Sequence, residues 1–275
     1  MSEIVPAPDD PGCFVVVNGD TEQSFVDLND PTRLEFEYVQ RIAEVLDETA
    51  LLRSRSEQIR ILHVGGGGLT LPRYVQARRP GTAQVVFEPD EALTEAVRRE
   101  IPLAGRASIR IHGVDGVVGL AEMPSGCADA VVIDAFQGAS VPAALSTAEF
   151  FAEAIRVLRA SGIVVMNLTD SAPFEWAKRC LAGLTTYAAQ VGVIAEIPVW
   201  KGRRFGNLIA LAGNDIPVDR ITTRLIRADF PNRLVGGQAL LDWIGGAPPF
   251  TKADALPSPE PNWGNTWFGP TRRNR

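Results

Sequence analysis

Cysteine and histidine are scarce in this chain, with three of the first and two of the second among 275 residues. Cys13, Cys127 and Cys180 are odd in number, widely spaced and form no CxxC, which excludes a disulfide framework and a thiolate zinc site. With only His63 and His112, each inside an apolar run, a His-rich metal centre is excluded as well, and no metal is expected. Both histidines read as core or rim residues. Long hydrophobic runs are missing too: none approaches the roughly 18–20 residues that cross a bilayer. The opening MSEIVPAPDDPG is acidic and Pro-rich, unlike the basic and then apolar layout of a secretory leader. A net charge of −6 argues against a broad nucleic-acid surface, and the basic ending Thr271–Arg275 reads as a solvated tail. A cytoplasmic protein with a small-molecule partner, neither nucleic acid nor membrane, is the expectation.

What is present is an ordinary globular composition, 45% hydrophobic and 22% charged, which excludes a disordered or fibrous chain. The first dozen residues read as a loose terminus. Residues 13–17 and 23–28 are β-rich runs around the turn signal Asn18-Gly19-Asp20, a small β-hairpin. Asp30-Pro31-Thr32 then opens a helix through about Thr49, with Leu34, Tyr38, Ile42, Val45 and Leu46 at helical spacing and Asp30 or Thr32 as its cap. From about Gln58 the pattern changes. Short β-branched runs at 59–64, 83–88, 108–112, 130–134 and 163–168 alternate with helical stretches at 71–79, 91–100, 117–123 and 147–159. Such alternation predicts a doubly wound parallel sheet.

Two further strands, 193–199 and 205–212, follow a helix over 174–189. The link between them, Trp200-Lys201-Gly202-Arg203-Arg204, is too short for a right-handed crossover, so they should pair antiparallel. The fold class is therefore α/β: a Rossmann-like, doubly wound, seven-stranded sheet with an antiparallel last strand, preceded by the hairpin. That arrangement resembles the class I S-adenosylmethionine (AdoMet)-dependent methyltransferases. A final helix over 218–229 gives way to a Gly- and Pro-rich stretch, expected to be irregular, with Trp263 and Trp267 packing back on the body. The domain reading is 1–31 for tail and hairpin, 32–230 for the Rossmann-like domain and 231–275 for the C-terminal tail.

Ile61–Arg73, ILHVGGGGLTLPR, reads as a strand, a glycine turn and a helix start. Glycines there allow positive φ and close approach of a ligand, and the helix N-terminus can face a polar or negative group. About 20 residues on, VVFEPD puts Glu88 at the end of the second strand, where a carboxylate can take ribose hydroxyls. A dinucleotide fingerprint begun at Gly65 or Gly66 would want a third glycine at Thr70 or Leu71, so an AdoMet-type nucleoside is favoured over NAD. IHGVDG places Asp115 beyond the third strand, within reach of an adenine amino group. ADAVVIDAF ends the fourth strand at Asp134, in the crevice at the carboxyl ends of the strands. A carboxylate there can orient or deprotonate an amine attacking a carbon next to a sulfonium.

Over residues 14–213 the chain resembles the spermidine synthase (polyamine aminopropyltransferase) family. The resemblance is carried by NGDTEQS (18–24), the glycine run with Arg73, VVFEPD, VDG, VVIDAFQGASVP (131–142), LSTAEFF (145–151) and RRFGNLIALA (203–212). It implies a transferase whose nucleoside, decarboxylated AdoMet or AdoMet, is held by Gln23, Gly65, Gly66, Gly67, Glu88, Asp115 and Gly116. It also implies a catalytic Asp134, a small-molecule amine such as putrescine as acceptor, and a homodimer as the candidate assembly. Methyl transfer on the same scaffold and a non-catalytic nucleoside-binding protein are the alternatives. The departures lie on the amine side. The family's aspartate after the glycine triplet is Gly68, and the second aspartate after strand four is Gln137. The tyrosine and acid of the family's first helix fall on Phe36 and Tyr38, with Glu35 and Glu37 leaving the register open. Gln137 and Tyr38 are thus the candidate substrate-binding residues. Weak aminopropyl transfer to putrescine is expected, to be raised by an aspartate at either 68 or 137.

Overall fold

The computed structural model describes residues 2–7, 10–18, 21–103, 108–228 and 230–261. Its first three strands, β1 (Ser2–Pro6), β2 (Cys13–Asn18) and β3 (Thr21–Asp27), form a separate antiparallel sheet in chain order. The hairpin is β2 with β3; Gly19 and Asp20 of its expected turn lie outside the described residues. The loose terminus is a correction, since Ser2–Pro6 pairs with Phe14–Asn18 as an edge strand. Pro6 closes that strand, a position where its missing N–H is tolerated.

Helix α1 spans Glu37–Glu48 rather than opening at Thr32. Side chains explain the delay: Asp27 Oδ1 accepts the backbone N–H of Asn29 and Asp30, and Asp30 Oδ1 accepts that of Thr32. These local turns compete with helix start. Alternation then follows as β4 (Arg60–Val64), α2 (Thr70–Arg78), β5 (Ala83–Phe87), α3 (Glu91–Glu100), β6 (Ile109–His112), α4 (Gly116–Glu122) and β7 (Ala128–Ile133). After it come α5 (Ala148–Arg156), β8 (Leu158–Asp170), α6 (Glu175–Tyr187) and β9 (Gln190–Glu196). The chain closes with the one-turn helix α7 (Ile197–Trp200), β10 (Gly206–Gly213), α8 (Val218–Leu225), β11 (Asn232–Gly236) and α9 (Gly237–Ile244). The strand expected to reach Val199 stops at Glu196, because Ile197-Pro198 turns into α7.

The main sheet has the order β6-β5-β4-β7-β8-β10-β9-β11. Neighbours from β6 to β8 are parallel, and β10 runs antiparallel to both β8 and β9. The doubly wound sheet with its reversed strand is as expected, with one strand more than seven. The addition, β11, pairs antiparallel with β9. It is only Asn232–Gly236, bounded by Pro231, and has no alternating pattern to announce it. Residues 231–261 are accordingly fixed on the body. Ala148 N donates to Phe250 O at 2.8 Å, Val141 N to Ser258 Oγ at 2.8 Å and Trp176 Nε1 to Leu256 O at 2.8 Å. Trp263, Trp267 and the basic ending lie outside the described residues.

Period-2 alternation divides the central strands between two cores. Val131 and Ile133 of β7 with Val164 and Met166 of β8 face the core under α5, α6 and α9. Ala130, Val132, Ile163 and Val165 face the core under α1 and α8, together with Ile194 and Ile209. Continuing the second row to the strand ends brings Asp134, Asn167, Asn207 and Glu196 to the α1 side, which is where the cavity lies. No described helix is long and apolar enough to cross a membrane.

Candidate active site

The wall nearest β4 is the glycine turn. Gly65 has φ +92°, and a Cβ there would stand 2.3 Å from Asp134 O, so only glycine lets the turn pack on the end of β7. Gly66 N and Gly67 N donate to Glu88 Oε2 at 2.8 and 3.3 Å, and Asp90 N donates to Glu88 Oε1 at 2.9 Å. Glu88 therefore shapes the turn through its own carboxylate. Of roughly four acceptor positions on a carboxylate, three are occupied, and a ribose hydroxyl would share them. Beyond β6, Asp115 caps α4 by accepting from Val117 N and Val118 N at 2.8 and 2.9 Å. Gly116, next to it, faces Val64 so closely that a Cβ would meet Val64 Cγ1 at 2.2 Å.

The floor comes from strand ends that sequence order separates. Asp134 Oδ1 accepts from Asn167 Nδ2 at 3.0 Å, and Asn167 Oδ1 in turn accepts from Asn207 Nδ2 at 2.9 Å. This chain of amides crosses β10, β8 and β7 and fixes which face of the Asn167 amide meets the carboxylate. Burial pushes the Asp134 carboxyl up to about 6, with the Asn167 amide pulling the other way. Tyr38, from the first turn of α1, is held well above the ordinary phenol value by burial and then by the nearby Asp134 charge.

One cavity of about 1450 Å³ joins these parts. Gln23, Tyr38, Gly65, Gly66, Gly67, Glu88, Asp115, Gly116, Asp134 and Gln137 all line it. So do Glu37, which the sequence left open as an acid of the first helix, and Asn167, Asn207, Glu196 and Arg204, which the sequence reading gave no role. The signal available for the asparagines was their place in apolar strands, where a buried amide needs a partner. For Glu196 and Arg204 nothing short of the strand order would have served. His63 is buried against Gln84, Nε2 to Oε1 at 2.9 Å, and burial lowers it to about 4; His112 is exposed. The three cysteines are buried free thiols.

No family model matches the chain. It is 26% identical over 155 residues to a polyamine aminopropyltransferase of Chromobacterium violaceum, covering 55% of this chain and 56% of that protein. To a polyamine aminopropyltransferase of Vibrio vulnificus it is 27% identical over 158 residues, covering 56% and 50%. The chain thus spans about half the length of the curated relatives it matches. A probable spermidine synthase of Corynebacterium glutamicum superposes with TM-score 0.82 at 27% identity, covering 91% of this chain and 92% of that one. In sequence and in fold the chain is thus similar to the spermidine synthases, at 26–27% identity.

The family's departing positions now have surroundings. Gly68 donates its N–H to Ser24 Oγ at 3.0 Å, and a Cβ on it would meet Val26 Cγ2 at 2.9 Å and Val16 Cγ2 at 3.1 Å. Strands β2 and β3 of the small sheet fill the space where the spermidine synthase aspartate would project. An aspartate at 68 would have to push Val26, Ser24 and Val16 aside, which opposes the benefit expected of it. Gln137 differs, being exposed at the rim with only its backbone engaged, its N–H donating to Ser140 O at 2.8 Å. Phe36 is buried against the Tyr38 ring, centroids 6.0 Å apart.

Proposed function

We propose that this protein binds an AdoMet-type nucleoside on the glycine turn and transfers an aminopropyl group from decarboxylated AdoMet to a small amine, with Asp134 as the catalytic carboxylate. The observation that carries the reading is the backbone contact between Gly65 and Asp134, which puts the nucleoside turn and the acid in one cavity. Glu88 beside the turn is the acceptor for ribose, and Gln23, Asp115 and Gly116 complete that end. The donor supplies a carbon made electrophilic by its sulfonium. The protein's task is the nucleophile, since alkylamines with pKa near 10 are protonated at neutral pH. Asp134, ionised above about pH 6, attracts the ammonium and takes a proton from it, so that the neutral nitrogen attacks the carbon next to the sulfonium while the C–S bond breaks and methylthioadenosine leaves. Asn167, steadied by Asn207, keeps one carboxylate oxygen occupied and so aims the other. Tyr38 and Gln137 stand where the amine enters.

Methyl transfer from AdoMet on the same scaffold is the second reading. It is favoured by Gly68, whose enclosure removes the acid that would hold an aminopropyl ammonium. Titration with methylthioadenosine, decarboxylated AdoMet, AdoMet and NAD separates the readings. Binding of the thioether and one sulfonium is expected, and equal or tighter binding of NAD would refute the nucleoside assignment.

A further inference from the structure

Past Asp134 the cavity continues to an end framed by Glu37, Arg41, Glu196 and Arg204. Every other charged residue of the described wall is acidic, so both guanidiniums of the lining gather at this end. Arg204 Nη2 pairs with Glu196 Oε1 at 2.6 Å. Glu37 meets the same Glu196 carboxyl, and burial followed by that contact pushes Glu37 up to about 7. Two touching carboxyls require a proton or a cation between them. Arg41 lies one turn along α1 from Glu37 and is only 6% exposed. Its Nη2 donates to Gln40 Oε1 at 3.2 Å and its Nη1 stands 3.3 Å from Glu44 in an ion pair, which leaves Nε without a partner. A buried guanidinium that is incompletely paired favours a further anion beside it.

Acids that call for a cation, next to cationic donors that call for an acceptor, describe the receptor of a zwitterion. We infer that this end binds the α-ammonium and α-carboxylate of a basic amino acid, whose side-chain amine is the nucleophile at Asp134. The inference rests on the reading of Asp134 given above for which end of the molecule reacts. Asp134 and Glu196 stand at the ends of β7 and β9, three strands apart and about 14 Å between backbones at the usual strand spacing. Their side chains and hydrogen bonds span much of that gap, leaving room for a short aliphatic linker. Ile194 and Ile209 line the wall between them. A plain diamine would satisfy the acids but bring a second cation against Arg41 and Arg204 with no anion to offset it. This quartet accounts for the missing family acid at 137, because a zwitterionic terminus has no use for an aspartate there.

The test is calorimetric titration with L-ornithine, putrescine (which lacks the carboxylate) and δ-aminovalerate (which lacks the α-ammonium), with and without methylthioadenosine. Ornithine should bind at least about tenfold tighter than either, the effect of one charge-assisted contact. Arg204→Gln should erase its advantage over putrescine and Glu196→Gln its advantage over δ-aminovalerate, with methylthioadenosine still bound as the check on folding. Putrescine binding as tightly as ornithine, or advantages unchanged in both variants, would overturn the inference. Failure of methylthioadenosine to bind the wild type would instead overturn the nucleoside reading, and the series without nucleoside would still decide this one.

Discussion

The two ends of the cavity are built differently. The end proposed for the nucleoside is made of turns that follow β4, β5 and β6, each a few residues long and each held by its own backbone: Glu88 on the amides of Gly66 and Gly67, Asp115 on the start of α4. The end proposed for the amine is assembled across β7, β8, β10 and β9 from residues far apart in sequence, with α1 laid over them. Local motifs can hold a common nucleoside while the strand-end side chains change with the acceptor. In this chain the first end keeps the spermidine synthase pattern and the second departs from it.

If that division is right, substitutions at the two ends should separate binding from turnover. The largest effect is expected at Asp134. Asp134→Asn keeps the shape but removes the proton acceptor, and turnover should fall by about 10²–10⁴ while methylthioadenosine affinity stays; full turnover in steady-state kinetics would make Asp134 a structural acid. Glu88→Ala should do the reverse, weakening methylthioadenosine by about 2–3 kcal/mol, roughly 30–150-fold. Unchanged affinity by calorimetry would remove Glu88 from the site.

Acid pH gives a third cut. The working form of Asp134 is the anion, so turnover should drop about tenfold per pH unit below about 6, the point to which burial raises the carboxyl. Asn167→Leu removes the donor that favours the anion and should move this limb to higher pH, whereas a limb left in place would show that the amide chain does not act on Asp134. The smallest effect is expected at the two family departures. Gln137→Asp, on an exposed rim, should raise aminopropyl transfer to putrescine a few-fold, in line with an exposed charge contact of about 0–1 kcal/mol. Gly68→Asp should lower stability instead, because its side chain enters Val16 and Val26; a melting temperature at the wild-type value would contradict that packing.

What was legible in the sequence follows the same division. The alternation of strand and helix, the reversed β10, the glycine turn and the places of Glu88, Asp115 and Asp134 just past their strands were readable because each depends on neighbours within a few residues. The pairing of β1 and β11 was not, since short edge strands carry little pattern of their own and are defined by the strand they join. Asn167 and Asn207 sit in runs that look like plain core, and only the register of β8 against β7 and β10 makes them partners of Asp134. The crowding of Gly68 depends on Val16 and Val26 of the small sheet, which no spacing within the glycine motif reveals.

Turnover of the sulfonium donors in the presence of an amine tests the central claim most directly. Purified protein is supplied with decarboxylated AdoMet or AdoMet and with putrescine or ornithine, and the released methylthioadenosine or S-adenosylhomocysteine is quantified. Amine-dependent release is expected, slow with putrescine, and it should disappear in Asp134→Asn. Release from neither donor with any amine, while methylthioadenosine still binds, would contradict the assignment of a transferase.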